Sequence, residues 1–282
     1  MSVARKLDLD SLDVGDLKNK TFERFAKKMY EIAGVHLPVT DKNLSLVKNR
    51  LSKIVRKGGY GSFEALADAL ENPPRDLLEQ FISALTTNKT HFFREDAHFE
   101  FLKKQLATHF NTHQELRIWC AAASTGQEPY TIAMVVKESV PQQFHSRCKI
   151  LATDIDLEVL QKAVNGVYTE AEMEGVPSWL RTKYFENSKD KQTYRAKDEL
   201  ANILHFTRFN LVQSKYDFKA PFHYVFCRNV LIYFDPPTTK RVIAGLASSV
   251  IKDGFLILGH SESGTVNDPQ IKAMSQATYR KL

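Results

Sequence analysis

From residue 116 onward the chain sets short apolar runs against stretches of helical periodicity, and this alternation limits the folds open to it. The runs are "LRIWCAA", "CKILATDID", "FHYVFCRNVL" and "GFLILGHSE", with helical patterning at 128–139, 156–165 and 237–251 between them. Apolar runs of strand length that lack polar alternation belong to strands covered on both faces. Strand–helix repetition therefore predicts an α/β domain over 116–282, a parallel sheet with helices on both sides. One stretch breaks the rhythm. Residues 166–204 are polar and charged, with Tyr184–Phe185 and Tyr194 in short strand-like pieces. They read as an insertion, a small helix plus a few antiparallel strands.

Upstream the pattern is helical. In "TFERFAKKMYEIAGVHL" Phe22, Phe25, Met29 and Ile32 form one stripe, with Gly34 as the stop. A second helix runs through "KNLSLVKNRLSKIVRKGG", a third through "SFEALADAL" capped by Ser62, and a fourth through "RDLLEQFISALT". This predicts a tail at 1–16, a helical domain at 17–85 and a connecting segment at 86–115.

Composition narrows the function classes. A net charge of +6 over 282 residues is mildly basic, less concentrated than nucleic-acid proteins usually are, so an acidic protein partner fits as well. The three cysteines, Cys120, Cys148 and Cys227, are widely separated in apolar contexts. They read as buried thiols in a reducing cytoplasm, without metal spacing. The N-terminus is not a signal peptide, and apolar runs of about five residues are far short of the roughly 20 that span a bilayer. No phosphate-binding lysine loop, no GxSxG and no histidine set with metal spacing appears.

In an open α/β sheet a ligand lies beyond the carboxyl ends of the strands, so residues just after each strand carry the information. "AAASTGQEPY" follows the first strand; its small residues let a backbone approach a ligand closely, and Glu128 opens a helix. The plain alternative is a tight strand-to-helix turn. Asp154 ends the second strand, where a carboxylate suits two ribose hydroxyls, and Asp156 is better placed to cap the next helix. "FCRNVLIYFDPP" puts Arg228, Asn229 and Tyr233 in an otherwise apolar run. Polar groups leaving a buried strand must each find a partner, which favours a site there.

Together "LTTNKTHFFRE", "IWCAAASTGQEPYTIAM", "ILATDIDLEVLQKA", "FNL" at 209–211 and "VFCRNVLIYFD" resemble the chemotaxis receptor protein-glutamate methyltransferases, the CheR family. The blocks fall in the family's order and cover roughly 20–282; Gln127 departs from a common Glu. The resemblance implies a Rossmann-like S-adenosylmethionine-dependent methyltransferase sheet carrying a small antiparallel β-subdomain and preceded by an all-helical domain. It implies S-adenosyl-L-methionine as cofactor, S-adenosyl-L-homocysteine as product, and glutamates on cytoplasmic chemoreceptor helices as acceptors. The stretch 85–95 becomes a lid, with Asn88, Thr90 and Arg94 toward the methionine part and Phe92 and Phe93 as anchors. Glu128 takes the α-amino group and Asp154 the ribose. Asn210 and Leu211 flank the adenine, and Cys227, Arg228 and Asn229 line the cleft. Arg94 and Tyr233 stand closest to the reaction.

An activated sulfonium and an ionised carboxylate, reference pKa about 4.3, need neither general base nor metal, only alignment. Arg94 and Tyr233 are therefore expected to orient the acceptor. The alternatives are an ion pair of Arg94 with Glu95 and core packing of Tyr233. Residues 42–57 hold no acid, and Arg50, Lys53, Arg56 and Lys57 share a helix face, which the family lays against an acidic receptor helix; a solvated face is the bland alternative. Some members grip a receptor tail peptide with the β-subdomain, but "ENSKDKQTYRAKDE" has no glycine, so independence from a C-terminal pentapeptide is expected. Two other readings stand beside this one: transfer to another acceptor such as RNA, and a cofactor-sensing regulatory module without turnover.

Overall fold

The computed structural model describes residues 15–188, 192–275 and 277–282, so the expected tail lies almost wholly outside it. The chain divides into two compact units after Thr87. In the first, α1 (Asn19–Ala33), α2 (Asp41–Lys57), α3 (Phe63–Ala69) and α4 (Arg75–Leu85) follow the predicted apolar stripes. Phe22, Phe25 and Met29 of α1 and Val47, Leu51 and Val55 of α2 are buried. Local chemistry sets the ends. Gly34 stops α1 in the left-handed region at φ 69°, and Thr40 and Ser62 accept backbone N–H groups at the starts of α2 and α3.

One expectation for α2 is corrected. Arg50 donates through Nη1 to the carbonyls of Leu85 at 3.3 Å and Thr86 at 2.8 Å, and through Nη2 to Thr87 Oγ1 at 3.2 Å. It satisfies the last carbonyls of α4, where the helix dipole favours a cation. Arg50 is therefore a cap for a neighbouring helix. Lys53 and Lys57 of the same face are exposed, and Arg56 is half-buried.

The second unit opens with the segment 88–96 and α5 (Ala97–His109), which the sequence reading left inside a connecting stretch. There follow β1 (Leu116–Cys120), α6 (Gln127–Ser139), β2 (Cys148–Asp154) and α7 (Leu157–Asn165). The insertion contains β3 (Val167–Thr169), α8 (Ser178–Tyr184), β4 (Phe185–Asn187), β5 (Thr193–Ala196) and α9 (Asp198–Ala201). The chain then completes β6 (Leu204–Arg208), β7 (Phe222–Cys227), α10 (Pro236–Ser248), β8 (Val250–Leu258), β9 (Ile271–Ser275) and β10 (Thr278–Lys281). The main sheet runs β6-β2-β1-β7-β8-β10-β9; β3-β5-β4 form a separate antiparallel sheet. The first five strands of the main sheet are parallel, and β10 is antiparallel to both neighbours.

Strand order reverses between β1 and β7, which makes their carboxyl ends the switch point of the sheet. Side chains alternate across β1. Ile118 and Cys120 join a core with α5, α6 and the inserted subdomain, whereas Trp119 and Ala121 join one with α10. The Trp119 indole N–H donates to Thr153 Oγ1 at 2.9 Å, and that hydroxyl donates to the Ala121 carbonyl at 3.1 Å. This chain ties the ends of β1 and β2 together. Among the described residues no helix is long and apolar enough to cross a membrane.

Candidate functional site

Backbone strain marks the place. Six described non-glycine residues have positive φ, and Phe93 (55°), Glu95 (56°), Ser124 (49°) and Asn229 (58°) belong to the segment before α5 and the turns after β1 and β7. Left-handed backbone costs such residues about 1–3 kcal/mol each and persists only where the surroundings impose it. Each has an anchor here. Phe93 N–H donates to Thr131 Oγ1 at 3.2 Å, and Ser124 N–H to Asp154 Oδ2 at 2.8 Å. Asn229 N–H donates to Glu262 Oε2 at 2.9 Å, and the Glu95 carboxylate is held by the groups described next.

Arg228 is the hub. Its side chain is 1% exposed and lies between two carboxylates, 3.0 Å from Glu95 Oε2 and 2.5 Å from Glu128 Oε2. It also donates to the Arg94 carbonyl at 2.5 Å. Glu95 accepts further bonds from Asn229 Nδ2 and His260 N–H, both at 3.1 Å. Burial alone would push the Glu95 carboxyl up, but Asn229 and the charge of Arg228 hold it below the ordinary range. Glu128 accepts the Cys120 thiol at 3.2 Å on its other oxygen. Burial, with that carboxylate beside it, pushes the Cys120 thiol well up.

The turn after β1 needs its small residues. Gly126 has φ 100°, and a Cβ there would lie 2.5 Å from the Tyr168 hydroxyl and 3.0 Å from Ala163 Cα. Across the turn, Asp156 caps α7 by accepting Glu158 N–H at 2.9 Å. Asp154 accepts backbone N–H groups from Ser124 on Oδ2 at 2.8 Å and Asp156 on Oδ1 at 3.1 Å, and the Ile155 N–H also bonds it. A carboxylate offers about four acceptor sites, so some capacity remains. Burial pushes its pKa up to about 6, against the pull of the backbone donors.

The other predicted positions divide. Asn88 donates to Asp156 Oδ2 at 2.8 Å, and its carbonyl accepts Ser124 Oγ at 3.1 Å, so the segment is fastened at the end of β2. Thr90 is half-buried. Phe92 is fully buried, edge-on to Tyr168 at 5.0 Å and Phe185 at 5.9 Å, while Phe93 is half-buried against Phe99. Arg94 donates to the Lys89 carbonyl at 2.9 Å; the ion pair considered for it goes to Arg228, which takes Glu95. Tyr233 ends a short 3-10 turn (Leu231–Tyr233), half-buried, and its hydroxyl has no hydrogen-bond partner among the described residues. Asn210 Oδ1 accepts Val212 N–H at 3.1 Å directly after β6, and Leu211 is buried against the Trp119 core.

One expectation is corrected. Cys227 is 0% exposed and packs with Trp119 and α10, so its side chain does not line a cleft. Arg228 spends its Nη donors on this chain; its buried Nε alone lacks a partner among the described residues. Sequence reasoning missed Glu262, and it treated Glu95 only as a neighbour of Arg94. The one signal for both was an acid inside a quoted block. Glu95, His98 and His260 bring potential metal-ligand atoms within 4.8 Å of one another, but the Arg228 cation on the same Glu95 oxygen disfavours an ion there.

Comparison with known proteins agrees with this architecture. Residues 88–280 match the family described as CheR methyltransferase, SAM binding domain, and residues 20–86 match CheR methyltransferase, all-alpha domain. A chemotaxis protein methyltransferase of Borreliella burgdorferi is 35% identical over 266 residues, covering 92% of this chain and 93% of the relative. That of Escherichia coli is 36% identical over 267 residues, 93% of this chain and 91% of the relative. That of Salmonella typhimurium is 36% identical over 252 residues, 88% of this chain and 85% of the relative.

The raised pKa of Asp154 gives a pH test. Its carboxyl protonates as pH falls through about 6 and then no longer offers two acceptor oxygens. Calorimetric affinity for S-adenosyl-L-homocysteine is expected to be flat above pH 7 and about tenfold weaker at pH 5. A flat profile down to pH 5 contradicts the role given to Asp154.

Proposed function

The chain belongs to the CheR methyltransferase family, and from that premise we propose that it forms methyl esters on glutamate side chains of cytoplasmic chemoreceptor helices, with S-adenosyl-L-methionine as donor. The observation that carries the reading is the pair of buried carboxylates, Glu128 and Asp154, flanking a turn of small residues at the switch point of the sheet. The donor set fits the cofactor. Glu128 would take the ammonium and Asp154 the ribose hydroxyls. The Arg228 Nε–H, buried without a partner, suits the carboxylate. The turn around Gly126 gives a backbone approach that a Cβ would close.

When bound, the cofactor supplies a methyl group on a sulfonium, already activated for transfer. The chain's own part is binding, alignment and exclusion of water. Arg228 and Cys120 fix both oxygens of Glu128, so the ammonium site is set before anything binds. Asn88, with Asp156 and Ser124, fastens the segment 88–96 over the end of β2. Thr90 lies in that segment and would face the methionine part. Asn210 and Leu211, directly after β6, would flank the adenine. Asn229, held by Glu95 and Glu262, would stand with Arg94 and Tyr233 at the transferring end. Arg94 would grip one side of the incoming carboxylate with its fork of donors. The unpartnered Tyr233 hydroxyl would donate a neutral hydrogen bond. Neither removes a proton, because a glutamate of ordinary pKa, about 4.3, is ionised at pH 7.

The exposed Lys53 and Lys57 of α2 offer a cationic face to a glutamate-rich helix, and such complementarity sets encounter and register more than affinity. Docking there requires no receptor tail peptide. The connection between β4 and β5 carries no glycine; its residues 189–191 lie outside the described residues. Since the acceptors are cytoplasmic, the protein works in the cytoplasm.

Three measurements test this. Receptor-bearing membranes incubated with labelled donor should acquire label that alkali releases, because a carboxyl ester hydrolyses where an N-methyl group does not; alkali-stable label contradicts the reading. In that assay Arg94→Ala should lower turnover by about a hundredfold, more than it lowers S-adenosyl-L-homocysteine affinity, whereas Lys53→Glu with Lys57→Glu should raise the receptor KM and leave kcat near wild type. Unchanged turnover or unchanged KM removes the corresponding role. Calorimetry with a receptor C-terminal pentapeptide should give no heat; low-micromolar binding contradicts tail independence.

A further inference from the structure

Glu262 is 1% exposed, lies in the short helical turn after β8 and has no role so far beyond anchoring the Asn229 N–H. Among the bonds its carboxylate accepts are three from backbone N–H groups: Leu231 on Oε1 at 2.7 Å, and Asn229 at 2.9 Å and Gly259 at 2.6 Å on Oε2. Two of these donors belong to the turn after β7. That turn contains the left-handed Asn229 (φ 58°) and runs on through Leu231 into Tyr233, whose own N–H donates to the Val230 carbonyl at 3.1 Å. Space around the carboxylate is closed. A Cβ at Gly259 would come within 2.6 Å of Asn229 Nδ2, 2.9 Å of Asn229 N and 2.8 Å of Glu262 Oε2.

We propose that Glu262 is a positioning residue for methyl transfer, clamping the turn after β7 in the conformation that presents Asn229 and Tyr233 to the reacting groups. This rests on the function proposed above. The chemistry of the clamp is specific. Burying a carboxylate is expensive, and a turn can be capped more cheaply by a hydroxyl or an amide. Only a carboxylate has two oxygens with room for three converging N–H groups; an amide has one, and its NH2 would face a donor. The clamp also has a second jaw. Glu95 Oε1 accepts Asn229 Nδ2 at 3.1 Å, so the backbone of Asn229 is fixed by one acid and its side chain by another. Because Glu95 only accepts, the amide is turned with its nitrogen toward Glu95. Glu262 itself bonds neither Asp154 nor Glu128, the carboxylates proposed to hold the cofactor, so its loss should appear in the transfer step.

The test uses the full chain with Glu262→Gln, and Glu262→Ala as a second variant, checked for folding by circular dichroism. In Glu262→Gln, kcat for methyl transfer to receptor membranes should fall by about tenfold to a hundredfold, as misplacement of reacting groups by an ångström does. Calorimetric affinity for S-adenosyl-L-homocysteine should stay within about threefold of wild type, because cofactor binding is uniform to both states. Independently of activity, the amide protons of Gly259, Asn229 and Leu231 should lie downfield in wild-type NMR spectra and move upfield in the variant, since bonds to a carboxylate are the shorter and stronger kind. Wild-type kcat in Glu262→Gln, or product affinity falling as much as kcat, overturns the proposal. So do unshifted amides. If wild-type protein esterifies no carboxylate, the proposed function fails instead, and the amide shifts still decide whether Glu262 holds the turn.

Discussion

A buried arginine between two acids holds the site together. Arg228, at the end of β7, meets Glu95 from the segment before α5, Glu128 from the first turn of α6, and the carbonyl of Arg94. These partners lie 100 and more residues away in sequence, so no local propensity brings them together. The pair count is uneven: two carboxylates share one guanidinium. Removing one partner of such a buried set typically costs about 3–5 kcal/mol, because it strands an uncompensated charge. The stretch before α5 can therefore carry left-handed Phe93 and Glu95 without relaxing to an ordinary turn. Phe92 supplies the apolar share of the hold, wedged edge-on against Tyr168 and Phe185 of the inserted subdomain.

That unevenness has a chemical use. Four carboxylates, Glu95, Glu128, Asp154 and Asp156, gather at the ends of β1, β2 and β7 with the Arg228 cation between the first two, which would bias that end of the sheet toward cationic ligands. A donor carrying a sulfonium and an ammonium suits such a place, and loss of the methyl group removes one of the two positive charges. The same field would repel an incoming carboxylate, which is why donors at the transferring end matter. On the proposed function, Arg94 would supply a cation and Tyr233 an uncharged donor. The turn that carries Asn229 and Tyr233, held by Glu262, would keep this end from adjusting to the wrong acceptor.

Much of this was legible in the residues. The helical unit declared itself through stripes such as Phe22, Phe25 and Met29, and through Gly34 and Ser62 at helix ends, because each acts within one turn of chain. The parallel strands β1, β2, β7 and β8 declared themselves as unbroken apolar runs. The edge strand β6 did not: "LHFTR" is largely exposed and polar, with no burial to impose a pattern. Nor did β9, where "IKAMS" buries only its first residue, or β10. Among site residues, motif order pointed to Asp154, Glu128, Asn229 and Tyr233, but not to what they touch. Arg50 looked like a docking cation because a charge run does not reveal that α4 ends beside it. Cys227 looked like a cleft residue because sequence does not show which face of a strand end turns inward. Glu262 was hidden because its partners are backbone groups, which any sequence supplies.

A crystal structure of the protein with S-adenosyl-L-homocysteine tests the central claim most directly. The account predicts difference density at the carboxyl ends of β1 and β2, with the ammonium beside Glu128 and the ribose hydroxyls on Asp154, while Arg228 keeps its bonds to Glu95 and Glu128. Density elsewhere, or an occupied crevice in which Glu128 and Asp154 touch nothing of the ligand, would contradict it.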